Sequence, residues 1–401
     1  MIRKVSSEGV GYSVVDLNRV KHVFASAVPK TGGTFLHQSH DALQTIESVV
    51  RDEIALGTIV RQAIFIRDIK QREECRGIIE GFYGDDLPAT SYIVQPPCGG
   101  KEIEIEAWGV GQADEGVEIH RYSDNLVVVK HDGIAWAHCA RVVPQTDATK
   151  VYDRSVNAFE RMQSILASQG FRYEQVVRTW LYLGDIVGPE GDTQRYKELN
   201  RARTDLYERI HFLRDHVPPG FKGTVYPAST GIGTDGTDVL MGCIALATDR
   251  KDLVLLPMEN PQQTAAFDYG TEYSPKSPKF CRAMAVVVGE CATILVSGTA
   301  SIVNAETKFI GDVEGQTHQT LDNIEALIAK ANFDRYGIPD LGATLKDLAL
   351  ARVYIKNQED YEKTRAICEE RLGELPTIYA VADVCRPELL VEIEGVAFAK
   401  K

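Results

Sequence analysis

Two widely separated stretches of the chain, QSHDALQTIE at 38–47 and QTHQTLDNIE at 316–325, follow one pattern. Both fit Q-x-H-x-x-L-x-x-I-E, in which apolar residues three positions apart suit one face of a helix. Internal similarity of this kind predicts a chain built from copies of one structural unit.

Strand-like and helix-like stretches repeat in the same order. The strand-like ones are rich in β-branched and aromatic residues: IVRQAIFIRDI (59–69), VVRTWLYLGDI (176–186) and a looser LALARVYIKNQ (348–358). The helix-like ones follow at 72–84, 196–210 and 359–373, and aligning their ends places Arg76, Arg201 and Arg365 at matching positions. Each unit is therefore predicted as strand–helix–strand–helix–strand, an α+β module with its helices on one face of a sheet.

The first and third copies also end alike. Tyr92, Cys98 and EIEIEAW (102–108) match Tyr379, Cys385 and LLVEIEG (389–395). We place the unit boundaries near 110 and 262, which gives units at 1–110, 111–262 and 263–401; the second boundary falls in an irregular stretch with Pro257, Pro261, Pro275 and Pro278. Each sheet keeps one uncovered face, so we expect the copies to pack sheet to sheet as a covalent pseudo-trimer with clefts between units.

Composition and charge exclude several classes of protein. A chain with 44% hydrophobic and 25% charged residues is neither collagen-like nor wholly disordered. Its net charge of −13 has the wrong sign for a general nucleic-acid or anionic-membrane binder. Without a signal-like or membrane-spanning run, a soluble cytoplasmic protein is expected. The eight cysteines are scattered, so we expect no metal and no other cofactor.

The repeat resembles the RidA-like (YjgF) fold, a chorismate-mutase-like α+β fold whose members form trimers with active clefts between subunits. The second and third copies are also similar to the chorismatases, which remove the enolpyruvyl group of chorismate. The stretches behind this similarity occur in order: 226–233, 259–283, 296–303, 311–312, 316–324, 351–355 and 383–395. The first copy has no counterpart in that pattern and is similar to a generic RidA-like module.

The chorismatase resemblance implies release of pyruvate and a hydroxybenzoate, with 3-hydroxybenzoate as the expected product. Glu392 matches the general acid, and its apolar neighbours in LLVEIEG suit a raised pKa. A solvated acidic strand face is the alternative, and Glu104 and Glu106 repeat the pattern in the first copy. Cys385 and Gly298 match the cysteine and the small residue of the 3-hydroxybenzoate-forming branch. For Cys385 the alternative is a small buried hydrophobic residue.

Chorismate is a dianion, and arginine binds carboxylates bidentately. Our candidates for substrate binding are Arg282 and Arg365, with Tyr269 and Tyr273 as hydrogen-bonding partners. For either arginine a surface salt bridge is the alternative. Arg352 is a weaker choice because the other copies have Ala63 and Trp180 at its position.

Two features leave alternatives open. Chorismatases usually have histidines where this chain has 304–310, which contains none, so the activity or its product would differ if those histidines shape the cleft. A RidA-like enamine or imine deaminase is the second choice, since its arginine after a P-x-R turn is absent at 376–378 and at 88–90. A non-catalytic metabolite-binding protein is the third. We expect a small dianionic ligand, no nucleic acid or membrane partner, and either a monomeric pseudo-trimer or a low-order homo-oligomer.

Overall fold

The computed structural model describes residues 2–17, 20–54, 57–111, 116–270 and 273–401, except for the side chain of Arg214. Within these residues the strands form three six-stranded sheets and two short two-stranded ribbons. None of the described helices is long and apolar enough to cross a membrane.

The first unit begins with three strands and then alternates helices and strands. Its elements are β1 (Ile2–Ser7), β2 (Val10–Leu17), β3 (Val20–Ala27), α1 (Phe35–Glu53), β4 (Thr58–Ile66), α2 (Arg72–Tyr83), β5 (Ala89–Val94) and β6 (Ile103–Gly111). The sheet order is β1-β2-β3-β6-β4-β5, and only β4 and β5 pair in parallel. The apolar face of α1 covers this sheet with Leu43, Ile46 and Val50, which are buried.

The second unit repeats this arrangement. Its elements are β7 (Glu118–Ser123), β8 (Leu126–His131), β9 (Ile134–Val142), α3 (Val151–Ala167), β10 (Val176–Gly184), the ribbon β11 (Pro189–Glu190) and β12 (Thr193–Gln194), α4 (Arg195–Tyr207), β13 (Ala228–Thr234) and β14 (Val239–Thr248). The sheet order β7-β8-β9-β14-β10-β13, with β10 and β13 parallel, has the same topology as the first sheet.

The third unit has the same topology with two short insertions. Its elements are β15 (Leu253–Met258), β16 (Ala283–Val288), β17 (Cys291–Ala300), the ribbon β18 (Ile302–Val303) and β19 (Glu306–Thr307), α5 (Val313–Ile328), α6 (Lys330–Arg335), β20 (Leu348–Ile355), α7 (Tyr361–Leu372), β21 (Thr377–Val381) and β22 (Val391–Lys400). The sheet order is β15-β16-β17-β22-β20-β21, with β20 and β21 parallel.

The structure confirms the predicted helices and strands and corrects their arrangement in two respects. Each unit begins with three strands and ends with two, where one strand was expected at each end, because local patterns in the flanking stretches did not repeat clearly between copies. The second boundary lies between 248 and 253 rather than near 262, since β15 pairs with β16 in the third sheet. Pro257 fits in β15 because this is an edge strand, where a missing N–H leaves no gap in the ladder.

The sheet faces that carry no helix meet in the middle of the molecule. One buried cluster includes Phe24 of β3, Tyr182 of β10 and Phe398 of β22. The rings of Phe24 and Phe398 lie 5.7 Å apart, centroid to centroid. The three units therefore share one core, and clefts form at its edges.

Candidate active site

A cavity of about 240 Å³ lies between the second and third units. The second unit contributes α4 and β13 to its wall. The third unit contributes the segment that leads into β16, the end of β17, the loop before β22 and the first residues of β22. The cavity therefore brings together the stretches 226–233, 259–283, 296–303 and 383–395, which were singled out in the sequence.

Glu392 is the buried acid of this cavity. It lies near the start of β22, paired with Ala300 of β17 and Tyr354 of β20, and is only 4% exposed. Among the described residues its carboxyl group has no hydrogen-bond or ion-pair partner. Burial and the neighbouring Glu394 carboxylate raise the pKa of Glu392 to about 8, against the opposing effect of Arg178 and Arg282. Glu392 is therefore protonated at neutral pH and is able to donate a proton into the cavity.

Gly298 lies directly against this carboxyl group. The pairing of β17 with β22 shifts register between Val296 and Thr299, so Gly298 lies in an irregularity of the strand of the kind common next to active sites. A Cβ atom at Gly298 would lie 2.1 Å from Oε1 of Glu392. The absence of a side chain at this position therefore leaves the space that the acid occupies.

Three arginines line the same cavity: Arg203, Arg282 and Arg386. Each has one buried nitrogen without a protein partner among the described residues, namely Nε of Arg203, Nε of Arg282 and Nη2 of Arg386. Buried N–H groups without a partner are costly in a folded protein, so a ligand that accepts these hydrogen bonds would be stabilised here. Carboxylates match guanidinium groups in geometry and charge.

Neighbouring groups hold each guanidinium in place. Arg203 donates to Asn200 and to the hydroxyl of Ser229 at 3.3 Å. Arg282 donates to the hydroxyl of Tyr269 at 2.6 Å and to the carbonyl of Thr264 at 3.2 Å.

Arg386 is held by residues of the segment 304–310, which contains no histidine. It donates to the carbonyl of Ala305 at 2.9 Å and to the hydroxyl of Thr307 at 3.4 Å. Its guanidinium carbon lies 4.7 Å from the ring centroid of Tyr273, within the range of a cation–π contact. Tyr273 and Tyr269 thus support the arginines, and the stretch without histidine supplies backbone and hydroxyl acceptors.

Cys385 also lines the cavity and is partly exposed. Burial and the nearby Glu392 raise the pKa of the Cys385 thiol to about 12. Its side chain is therefore a neutral thiol at physiological pH, a small polarisable group beside the acid rather than a thiolate nucleophile.

The structure does not bring Arg365 to this cavity. Arg365 lies on α7 and forms an ion pair with Glu369, one turn further along the same helix, at 2.7 Å. Its side chain lines a different cleft, between the first and third units, which also contains Glu104. Arg365 therefore forms the surface salt bridge that was the alternative for this residue. It does not line the cavity that contains Glu392.

The cleft around Glu104 is the counterpart of the cavity around Glu392. It measures about 460 Å³, and Glu104 occupies on β6 the place that Glu392 has on β22. Burial and the neighbouring Glu106 raise the pKa of Glu104 well above its ordinary value. Among the described residues, no arginine with an unpartnered buried nitrogen lines this cleft. Each cleft thus contains its own buried glutamate. Among the described residues, arginines with free N–H groups that are able to bind a dianion line the cavity around Glu392 and not the cleft around Glu104.

Sequence reasoning missed Arg203 and Arg386. Arg203 lies on the face of α4 that bears Asn200, where the aligned third-unit helix has Thr364 and Ile367. The signal in the sequence was that Arg203 differs from the residue at the corresponding position of the third unit, whereas our candidates were chosen because they matched between copies. Arg386 directly follows Cys385 within a stretch already singled out, so proximity to Cys385 was its signal.

Comparison with known proteins finds two family models that match parts of this chain. A family model described as Chorismatase FkbO/Hyg5-like, N-terminal, matches residues 112–247, and one described as Endoribonuclease L-PSP matches residues 280–399. A 3-hydroxybenzoate synthase of Streptomyces hygroscopicus is 32% identical over 281 residues, which cover 67% of this chain and 77% of that protein. A chorismatase of Streptomyces rapamycinicus is 31% identical over 274 residues, covering 66% and 77%.

A solved structure supports the fold. A crystal structure of a chorismatase superposes with a TM-score of 0.66 at 23% identity and covers 85% of this chain and 93% of its own. That coverage exceeds what residues 116–401 alone can supply, so the structural match extends into the first unit, where the sequence had suggested no chorismatase counterpart. The fold is mixed α+β with chorismatase-like and RidA-like modules. Because the two Streptomyces relatives are 32% and 31% identical to this chain over more than two thirds of their own length, the chain belongs to the chorismatase family.

Proposed function

We propose that the protein cleaves the enolpyruvyl ether of chorismate and releases pyruvate, with Glu392 as the general acid. One observation supports this above the others: a buried, protonated carboxyl group shares a cavity with three guanidinium groups that each keep a free N–H. Chorismate has two carboxylates and one acid-labile vinyl ether, so its chemistry matches the acid and the arginines together.

Proton transfer starts the reaction. Glu392 donates its proton to the vinylic methylene, and the ether-bearing carbon becomes an oxocarbenium-like centre. The Glu392 carboxylate that remains then stabilises this cation. Addition of water gives a hemiketal that collapses to pyruvate and a dihydroxycyclohexadiene acid.

We further propose 3-hydroxybenzoate as the aromatic product. Gly298 leaves the space that the Glu392 carboxyl group occupies, and Cys385 presents a small neutral thiol beside it, so the substrate's own ring hydroxyl is able to compete with water for the cationic carbon. This attack forms a cyclic ketal and returns the hydroxyl proton to Glu392. Loss of the proton from the ring carbon that carries the former enolpyruvyl oxygen then breaks the bond between the neighbouring ring carbon and its oxygen and makes the ring aromatic, and the resulting hemiketal collapses to pyruvate and 3-hydroxybenzoate. Pyruvate and 3-hydroxybenzoate together contain all the atoms of chorismate, so this route consumes no water overall. The resemblance of Gly298 and Cys385 to that branch of the family supports the same product.

Arg203, Arg282 and Arg386 are the proposed carboxylate ligands, with Tyr269 and Tyr273 positioning the last two. Arg365 is left out because it lies in the other cleft.

We also propose that the three units form a pseudo-trimer in which only the cleft between the second and third is catalytic. The shared strand order of the three sheets and their common core support this arrangement. In this proposal the first unit, which ends at residue 111, completes the core and has no substrate site of its own.

The test is incubation of the purified protein with chorismate, followed by chromatography of the products. We expect pyruvate and 3-hydroxybenzoate in equal amounts. No pyruvate above a buffer blank would overturn the proposal. A parallel reaction that generates 2-aminoacrylate, with ammonia as the readout, tests the deaminase alternative, for which we expect no acceleration.

A further inference from the structure

A cluster of buried charges lies where all three units meet, behind the strand that bears Glu392. The central ion cluster consists of Glu106 from the first unit, Arg178 from the second, and Arg352 and Glu394 from the third. Arg352 donates to both carboxylate oxygens of Glu106, at 2.5 and 2.6 Å, and to Oε1 of Glu394 at 3.0 Å. All four side chains are almost completely buried. The first unit therefore supplies the carboxylate that pairs with Arg352 most closely.

The hydroxyl group of Thr230 links the central ion cluster to Gly298, which lies beside Glu392. Thr230 of β13 donates to Glu394 and accepts from Arg178 at 2.6 Å and from the backbone N–H of Gly298 at 3.0 Å. This uses the full hydrogen-bonding capacity of a hydroxyl group. Gly298 in turn lies against Glu392.

Strand geometry places Glu392 and Glu394 on the same face of β22, because side chains alternate along a strand. Although burial alone would raise the pKa of Glu394, Arg178 and Arg352 lower it below its ordinary value. Glu394 is thus a fixed negative charge beside the acid, which favours the protonated form of Glu392.

We propose that Glu106 of the first unit is a positioning residue for the reaction, acting on Glu392 through Arg352 and Glu394. The inference rests on the proposed function. With Glu106 in place, two carboxylates, Glu106 and Glu394, offset the positive charge of Arg352. Without the Glu106 charge, the electrostatic potential at Glu394 and Glu392 becomes more positive. A more positive potential favours the ionised form of Glu392.

Other titratable or charged groups lie around Glu392 and Glu106 and also contribute to the electrostatic potential at Glu392. Those around Glu392 are Glu394, Arg178, Arg282, Arg203, Cys385 and Tyr196. Those around Glu106, besides Arg352, are Arg61, Tyr182 and Glu104. All of these side chains remain in the Glu106→Gln variant, so a displaced alkaline limb reports on the loss of the Glu106 charge.

The test is the pH dependence of kcat/KM for pyruvate release by the Glu106→Gln variant. A general acid is active while protonated, so the rate falls as pH rises through its pKa. Loss of one negative charge from a buried network moves that alkaline limb to lower pH by on the order of one unit. A role in folding alone would change the amount of active protein and leave the limb where it is.

Two further variants complete the test. Glu104→Gln changes a glutamate of the same strand and similar burial that lies outside the central ion cluster, and its limb is expected to match wild type. The double variant Glu106→Gln, Arg352→Gln removes both charges of the pair, and its limb is expected at or above the wild-type position. This variant also serves if the single one does not fold, because neutral replacement of a buried ion pair is often tolerated.

The possible outcomes separate the two proposals. An active wild type whose limb is unchanged in Glu106→Gln, or a double variant whose limb lies below wild type, overturns the role of Glu106 alone. A wild type that releases no pyruvate from chorismate overturns the proposed function and this role with it.

Discussion

The buried acid makes a quantitative prediction about stability. Glu392 titrates at about 8 in the folded protein against an ordinary value of 4.5. A carboxyl whose pKa is raised by folding stabilises the protein fully only below its unfolded pKa, and this contribution is lost as pH rises through the folded pKa. The loss is about 1.4 kcal/mol per pH unit inside that interval, so between pH 5 and pH 8 it amounts to roughly 3 to 4 kcal/mol. Glu392→Gln, which cannot ionise, escapes this loss.

The assay is urea denaturation of wild type and Glu392→Gln at pH 5, 6, 7 and 8, followed by tryptophan fluorescence. The free energy of unfolding of the variant, relative to wild type, should rise steadily across this range, while the variant has no turnover. Glu362→Gln, an exposed glutamate on α7, provides the control, and its difference from wild type should stay constant. A constant difference for Glu392→Gln as well would refute the claim that the acid is buried in its protonated form.

Two further predictions concern the cavity. Gly298→Ala places a methyl group 2.1 Å from Oε1 of Glu392, so the acid must move, and kcat should fall by about 10- to 100-fold. Product chromatography should also show a larger share of the dihydroxy acid. Unchanged kcat and products would contradict this role of Gly298. Arg203→Met removes a buried guanidinium from the cavity and should raise KM for chorismate by roughly 10-fold or more. Arg365→Met, in the other cleft, is the control and should leave KM unchanged. Equal effects of the two substitutions in steady-state kinetics would refute the assignment of Arg203 as a substrate ligand.

The sequence predicted those parts of the fold that depend on local patterns. β4, β10 and β20, together with the helices that follow them, were recognisable because each copy repeats the same residue types at the same spacing. Glu392 could be placed on a strand for the same reason. The boundary near 262 was wrong because a proline usually ends a strand, and only the sheet order reveals that Pro257 lies on an edge.

The arginines show where local reasoning stops. Alignment of the repeats favoured Arg365, but ligands of the cavity come from whichever helix face packs against the neighbouring unit, and α4 presents Arg203 there. Arg352 was the weaker candidate for substrate binding because the other copies have Ala63 and Trp180 at its position. Its two carboxylate partners, Glu106 and Glu394, come from different units, and only the assembled core brings them together.

The most direct test of the central claim is the pH–rate profile of pyruvate release from chorismate by wild type and by Glu392→Gln, measured in one coupled assay from pH 5 to 9. If a buried, protonated Glu392 delivers the proton, the wild-type rate is sustained at neutral pH and falls with an apparent pKa near 8, and the variant releases no pyruvate. Pyruvate release by Glu392→Gln at the wild-type rate, or a wild-type profile without an alkaline limb, would contradict it.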